Sequence, residues 1–270
     1  MSTAQAIAES TGVHIAYEVA GSGPPLVLVQ GLGYARWGWE PVAPALAEEF
    51  TVVAFDNRGI GASDVPEGPY STRELAADVV AVLDAAGMER AHLVGTSLGG
   101  MVAQEVAIGW AERVDRLVLA CTTPGGSHAF PLPARTLELF AEAPALAPEV
   151  ALRRFVENAL AQRTVAERPD LVQRIYEKRL ASPPDPSGWQ AQAAAGGAHD
   201  AFSRLQEIEA PTLVLHGTDD AVVDPRNAAL LEDAVPNARR VMLAGAGHLF
   251  FWEEPERFVE VVGDFLRETA

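Results

Sequence analysis

The order of short apolar runs and helical patterns in the first 122 residues is the strongest constraint on the fold. Apolar runs typical of strands occupy residues 13–20, 26–30, 51–55, 92–96 and 117–122. Helical patterns occupy residues 39–48, 71–86 and 98–109. This β-α-β-α alternation predicts an α/β fold with a mostly parallel, doubly wound sheet that carries helices on both faces.

The alternation stops after the fifth strand pattern. Residues 124–200 contain helical segments and many prolines but no convincing strand pattern. Strand patterns resume at residues 212–216 and 239–243. We therefore predict a core formed by residues 1–123 and 201–270, interrupted by a helical cap insertion formed by residues 124–200.

Two helices carry clear boundary signals. Ser71 is placed to cap the helix over residues 71–86, Glu74 completes a capping box, and Gly87 ends the helix. The last helical pattern covers residues 255–267 and has a proline in its first turn, where proline is well tolerated.

Composition limits the partners and the cellular location. A chain of 270 residues that is 49% hydrophobic is long enough to bury one compact core. Its formal net charge of −17 repels phosphate backbones and anionic lipid, so neither nucleic acid nor a membrane surface is an expected partner. Residues 1–12 do not resemble a secretory signal, and no apolar stretch approaches a membrane span. We therefore expect a cytoplasmic protein.

The single cysteine excludes an intrachain disulfide. Cys121 stands at the end of an apolar run, and we interpret it as a small buried hydrophobic residue.

The segment Gly95-Thr96-Ser97-Leu98-Gly99 matches the pattern G-x-S-x-G between a strand pattern and a helical pattern. In this context the serine occupies a strained turn with positive φ, and side chains two residues away on either side would collide. Glycine removes both side chains. The motif therefore predicts Ser97 as a catalytic nucleophile.

A serine nucleophile needs a base, and His248 is the strongest candidate among six histidines. It follows a flexible Ala-Gly-Ala-Gly loop after the last strand pattern. This places it at the carboxyl edge of the sheet, where ligands and catalytic groups gather in open α/β sheets. His216 ends another strand pattern, so it is also expected near this edge.

The base needs an acid to orient it. Asp219 and Asp220 both follow the strand pattern at residues 212–216, so both are expected at the correct edge. Neighbouring residues in an extended segment point in opposite directions, and we therefore expect only one of them to reach His248. The residues alone leave the choice open. The chain order is Ser, Asp, His in either case, which is the order found in α/β-hydrolases.

With these residues in view, the sequence resembles the α/β-hydrolase superfamily, in the capped branch that holds esterases, lactonases and cofactor-free haloperoxidases. The resemblance spans nearly the whole chain. Its motifs are Gln30-Gly31-Leu32-Gly33, residues 56–63 (DNRGIGAS), the Ser97 turn, His216-Gly217-Thr218-Asp219-Asp220, and Gly247-His248 followed by Glu254-Pro255.

The resemblance implies roles for individual residues. The acid is usually the third residue after the glycine, here Asp220, with Asp219 as the alternative. The backbone N–H groups of Leu32 and Leu98 are the expected oxyanion-hole donors. The family usually has histidine at the position of Gln30, which puts the subfamily in doubt rather than the chemistry. Asp56 and Arg58 resemble a structural part of the family, an ion pair or hydrogen-bond network that braces the site.

The substrate pocket is expected to be mainly apolar, which favours esters with uncharged acyl groups. Its candidate residues, apart from Leu32, are Trp37, Met101, Phe130, Leu132, Trp189, Leu249 and Phe250. As an alternative, Arg135, Arg153, Arg154 and Arg163 of the insertion could bind a substrate carboxylate. No cofactor and no metal are implied, and the sequence does not predict an oligomeric state.

The sequence therefore predicts a serine hydrolase that cleaves small to medium carboxylic esters or lactones through an acyl-enzyme. Two alternatives remain. The same triad serves perhydrolysis, C–C bond hydrolysis or lyase chemistry in other enzymes, and some members of this fold are small-molecule receptors with residual hydrolase activity.

Overall fold

A computed structural model describes residues 4–268 of the chain, and a single eight-stranded sheet forms its centre. The strands are β1 (Ala4–Ser10), β2 (Val13–Gly21), β3 (Pro25–Val29), β4 (Thr51–Phe55), β5 (Ala91–Thr96), β6 (Val114–Ala120), β7 (Thr212–Gly217) and β8 (Ala238–Leu243). Their order across the sheet is β1-β2-β4-β3-β5-β6-β7-β8. β3 to β8 run parallel to one another. β2 pairs antiparallel with both β1 and β4, so β1 and β2 form an antiparallel edge. The mostly parallel α/β sheet that the sequence predicts is confirmed.

Eleven α-helices belong to the described part of the chain. They are α1 (Ala43–Leu46), α2 (Thr72–Ala85), α3 (Leu98–Gly109), α4 (Ala134–Glu142), α5 (Pro148–Asn158), α6 (Gln162–Glu167), α7 (Pro169–Ala181), α8 (Pro186–Gly197), α9 (Asn227–Ala234), α10 (Phe250–Glu253) and α11 (Pro255–Arg267). Among the described residues, no helix is both long enough and apolar enough to span a bilayer.

Side chains of each central strand alternate between two hydrophobic layers. In β3, Val27 and Val29 belong to one buried cluster, which includes the apolar faces of α2 and α3. Leu26 and Leu28 belong to a second cluster, which includes Phe258 and other residues of α11. Because successive strand residues point to opposite faces, the sheet buries apolar side chains on both sides.

The chain between β6 and β7 carries helices α4 to α8 and, within the described residues, no ladder strand. Its two ends lie side by side. Ala201 N donates to the carbonyl oxygen of Pro124 over 2.9 Å, and Gly126 N donates to that of His199 over 2.9 Å. The segment therefore leaves the sheet and returns to it at nearly the same place.

The structure differs from the sequence expectation near the N-terminus. β1 pairs with β2 along its whole length, although the sequence analysis assigned no strand there.

The helix expected over residues 39–48 is wrong: a 3₁₀ turn covers Arg36–Trp39 and α1 has only four residues. Pro41 and Pro44 interrupt this stretch, and each removes a backbone donor that a continuous helix needs.

Candidate active site

The candidate catalytic residues follow three parallel strands at the same edge of the sheet. Ser97 follows β5, Asp220 follows β7 and His248 follows β8. Ser97 and His248 line one cavity of about 600 Å³. Parallel strands bring their carboxyl ends together, so residues far apart in sequence meet at this edge.

Ser97 lies in a strained turn between β5 and α3. Its backbone has φ +53° and ψ −120°, a conformation that is costly for a residue with a side chain. A Cβ on Gly95 would lie 2.3 Å from the carbonyl oxygen of Gly99, and a Cβ on Gly99 would lie 2.1 Å from that of Val29. Only glycine fits at both positions. The turn therefore presents the Ser97 side chain to the cavity.

Asp220 lies within hydrogen-bond distance of His248. The His248 Nδ1 to Asp220 Oδ2 distance is 2.8 Å. The other oxygen, Oδ1, accepts the N–H groups of Val222 at 2.7 Å and Val223 at 2.9 Å. The carboxylate is fully buried, so these bonds fix its orientation.

Asp219 has different surroundings. It is exposed, and its Oδ1 accepts the hydroxyl of the neighbouring Thr218 at 2.9 Å. Within the described chain, its carboxylate has no hydrogen bond to His248.

A second histidine also contacts the buried acid. His216 Nε2 lies 2.9 Å from Asp220 Oδ2 and 3.2 Å from the carbonyl oxygen of Val223. Its Nδ1 is buried without a partner among residues 4–268. Because a hydrogen on Nδ1 would be a donor without an acceptor there, we place a ring hydrogen on Nε2, which faces both oxygens. The sequence placed His216 at this edge but gave no sign of this contact.

Burial and charge act in opposite directions on the two bonded groups. Burial disfavours the Asp220 carboxylate, but the charge of His248 and the hydrogen bonds from both histidines outweigh it and lower the pKa of Asp220. Burial likewise disfavours the His248 imidazolium, but the Asp220 carboxylate outweighs it and raises the pKa of His248. The acid therefore stays ionised while the histidine titrates.

The two expected oxyanion-hole donors come from the residue after Ser97 and from the loop after β3. Leu98 is the first residue of α3 and Leu32 lines the cavity. Among residues 4–268, neither N–H has a hydrogen-bond acceptor, so both are available to a ligand. Gln30 supports the loop, since its Oε1 accepts the N–H of Gly31 at 2.9 Å and the hydroxyl of Thr96 at 3.2 Å.

The cavity wall is mainly apolar, and the helices between β6 and β7 supply much of it. Three of the expected pocket residues, Leu32, Trp189 and Leu249, line it. The insertion adds residues that the sequence analysis did not name, above all Phe140, Leu152, Phe155 and Arg179. Nothing in the helical periodicity showed which face of each helix would turn towards Ser97.

Five expected pocket residues do not line this cavity. Phe250 is fully buried in the core against Phe251 and Phe258. Trp37 packs between the rings of Tyr34 and Trp252.

The other three are Met101, Phe130 and Leu132, and each has a different environment. Met101 lies on α3, where its sulfur approaches Gly196. The ring of Phe130 packs under the guanidinium of Arg226 at 4.1 Å. Leu132 is exposed. These positions follow from packing across distant segments, which local sequence does not encode.

Cys121 has more contact with the site than the sequence suggested. It is fully buried, as expected, but its backbone has φ +42° directly after β6. Its side chain lines the cavity and lies close enough to His248 to affect the pKa of that ring.

Asp56 and Arg58 form two separate ion pairs rather than one. Asp56 pairs with Arg36, and Arg58 binds Asp78 through hydrogen bonds of 2.6 and 2.7 Å. Gln192 of α8 also donates to the Arg58 carbonyl oxygen at 2.8 Å, which ties the insertion to this region.

Within residues 4–268, no group of three or more His, Cys, Asp or Glu side chains is arranged to hold a metal ion.

Known proteins are similar to this chain in sequence and fold. Residues 24–255 match the alpha/beta hydrolase fold family. The chain is 31% identical to a 2-hydroxy-6-oxo-6-phenylhexa-2,4-dienoate hydrolase of Comamonas testosteroni, over 94% of this chain and 91% of that one. It is 30% identical to a pimeloyl-[acyl-carrier protein] methyl ester esterase of Aeromonas hydrophila, over 93% and 99%. The crystal structure of the enol-lactonase from Burkholderia xenovorans superposes with a TM-score of 0.86 at 27% identity, covering 97% of this chain and all of that one.

Proposed function

Because this chain belongs to the α/β-hydrolase family, we propose that it is a serine hydrolase that cleaves carboxylic esters, including lactones. In this proposal Ser97 is the nucleophile, His248 is the base and Asp220 orients the base. The methyl ester esterase and the enol-lactonase among its relatives support ester-bond chemistry.

The reaction takes two steps through an acyl-enzyme. The neutral Nε2 of His248 accepts the Ser97 proton while Oγ attacks the ester carbonyl. The N–H groups of Leu32 and Leu98 stabilise the tetrahedral oxyanion, and one such donor is worth about 3 kcal/mol of barrier. His248 then protonates the leaving alcohol. Water, deprotonated by the same ring, attacks the acyl carbonyl, and the ring returns the proton to Ser97 Oγ as the acid leaves.

The proposal rests chiefly on the fixed tautomer of the base. Nδ1–H of His248 donates to the buried Asp220 over 2.8 Å, which leaves the Nε2 lone pair for the Ser97 proton. Stabilisation of the developing imidazolium by the carboxylate is the second contribution of this pair.

The insertion has a separate proposed role. We assign residues 124–200 to a cap that selects substrates, and residues 1–123 and 201–270 to the catalytic core. The two hydrogen bonds between the ends of the segment support these boundaries. A single cysteine suits a reducing compartment, so we propose a cytoplasmic location.

The experiment combines activity with active-site labelling. We expect wild-type protein to hydrolyse p-nitrophenyl butyrate and to react with a fluorophosphonate at Ser97, as located by peptide mass spectrometry. S97A should lose both properties, whereas S63A, which alters a buried serine that does not line the cavity, should keep labelling. An active enzyme labelled at another residue would contradict the assignment. A folded wild-type protein that neither hydrolyses esters nor reacts would favour a receptor.

A further inference from the structure

Arg179 is a cation in the cavity wall, and it has no acidic partner among residues 4–268. It lies near the end of α7 and lines the cavity together with Ser97 and His248. Its Nε is buried and has no hydrogen-bond partner within the described chain. Two other cations of the same helix, Arg174 and Lys178, both bind Glu40 on the outside. Among the described residues, no carboxylate oxygen lies within 4.0 Å of the Arg179 guanidinium.

Tyr34 holds the Arg179 guanidinium in the cavity wall. The Cζ atom lies 4.5 Å from the centre of the Tyr34 ring, within the range of a cation–π contact. Tyr34 also lines the cavity. A cation–π contact uses the charge of the group rather than its N–H donors, so those donors remain available to a ligand.

Arg179 also lies beside the loop that carries the proposed oxyanion donor. Its Nη2 is 3.8 Å from the position that a Cβ on Gly33 would take. At the other end of the loop, the corresponding position on Gly31 is 3.7 Å from Ser97 Oγ. The Cα atoms of these two glycines are separated by two backbone steps of 3.8 Å. Together with the two contact distances and the two Cα–Cβ bonds, this places Arg179 Nη2 at most about 18 Å from Ser97 Oγ.

A buried guanidinium N–H without an acceptor is unfavourable, and a carboxylate removes that cost. Arginine presents paired N–H groups that match the two oxygens of a carboxylate. From this geometry we infer that Arg179 binds a free carboxylate of the substrate. The inference rests on the proposed function. The preferred substrates are then monoesters of dicarboxylic acids, or lactones with a carboxylate arm, rather than esters with uncharged acyl groups.

The acidic charges of the cavity wall and of the whole chain oppose the binding of an anion, so a substrate carboxylate needs a cation to bind it. Besides Arg179 and His248, Glu149 is the charged residue of the described cavity wall, and it is exposed on the first turn of α5. Glu149 repels an anionic substrate, and so does the net charge of −17. Recognition of a carboxylate therefore depends on Arg179.

The test compares charged and neutral substrates of equal length. Mono-p-nitrophenyl esters from succinate to suberate are paired with their neutral methyl esters, and kcat/KM is measured for each. R179M should lower kcat/KM for the best acidic ester by about 10- to 100-fold, the range for a hydrogen bond to a charged group. The neutral ester should change less than about threefold on the same reasoning. R179K should lower kcat/KM for the acidic ester by an intermediate factor, because lysine keeps the positive charge but lacks the paired N–H groups of a guanidinium.

E149Q is the matched control, since it alters the other lining charge. It should raise kcat/KM for acidic esters, because it removes a charge that repels them. Equal loss on acidic and neutral esters in R179M, or no loss at any chain length, would overturn the inference.

Binding without turnover separates this inference from the proposed function. Calorimetry with glutarate should show binding to wild-type protein and to S97A, and loss of binding in R179M. Glutarate binding in a protein that hydrolyses no ester would overturn the proposed hydrolase and retain the carboxylate site. Ester hydrolysis without glutarate binding, or stronger binding of inorganic phosphate than of glutarate, would overturn the carboxylate site and retain the hydrolase.

Discussion

Asp219 and Asp220 are adjacent in the chain, but their carboxylates have different environments. Asp220 is buried and bonded to His248, whereas Asp219 is exposed and bonded to Thr218. We expect D220N to lower kcat by about 10⁴-fold, because an amide at this position favours the wrong histidine tautomer. D219N should retain activity within about threefold, as an exposed polar substitution. Initial rates with one aryl ester check both variants, with circular dichroism to confirm folding; the reverse ranking would assign the role to Asp219.

The pH profile is set by the same pair. The raised pKa of His248 means that the imidazolium persists to higher pH than in a free histidine. Since the base must be neutral, kcat/KM should rise with pH, with its acid-side midpoint above the usual value of about 6.5. D219N should keep this midpoint. A flat profile, or a midpoint below that of free histidine, would argue against His248 as the base.

At the same scale, the sequence identifies residues whose chemistry is tied to a local motif. Ser97 stands out because two glycines and a strand–helix junction must surround such a turn. The contact between His216 and Asp220 and the position of Arg179 in the cavity arise from tertiary packing. Local patterns therefore gave no direct signal for either one.

Among the elements, the loop between β8 and α10 carries His248, and Glu253 is one of its anchors. Glu253 accepts the N–H of Gly247 at 3.1 Å and that of Ala161 at 2.7 Å. Leu249 N also donates to the Ala159 carbonyl oxygen at 2.9 Å. The histidine loop is therefore tied to the segment between α5 and α6, even though burial raises the pKa of the Glu253 carboxyl.

We expect E253Q to weaken this anchor. An amide has one acceptor oxygen, so one of the two buried N–H groups loses its partner, at a cost of about 1–3 kcal/mol. For a protein of this size, that lowers Tm by about 2–10 °C. Activity should fall with it because His248 is less well held. E254Q is the control, since Glu254 forms an ion pair with Arg257 at the surface, and thermal melts of both variants give the comparison. An equal effect of the two substitutions would contradict the anchoring role.

Element boundaries were predictable where caps are encoded locally. α2 begins after Ser71, and both halves of the capping box with Glu74 are present, as the sequence predicts. β1 was missed because its small and polar residues, AQAIAES, give little apolar alternation. Its pairing with β2 stabilises it instead.

For the molecule as a whole, the proposed core and the proposed cap both line the cavity, and they contribute different groups. The core supplies Ser97, Asp220 and His248 from strand ends, while the insertion supplies much of the apolar wall. The core strands could be predicted from the sequence because their buried apolar runs repeat a simple pattern. The residues of the cavity wall could not be predicted, because they depend on how helices α4 to α8 pack over the sheet edge.

This division predicts that substrate ranking changes without loss of the nucleophile when the insertion changes. The two ends of residues 124–200 lie together, so the segment can be exchanged for the insertion of a related lactonase of the same fold. We expect the ratio of kcat/KM for lactones and aryl esters to change at least about tenfold, while Ser97 keeps reacting with a small fluorophosphonate. F155A and W189A test the same idea in case the chimera does not fold, because both side chains line the cavity. L137A, on an exposed position of α4, is their control. An unchanged ranking in a folded chimera and in both point variants would show that the core alone selects the substrate.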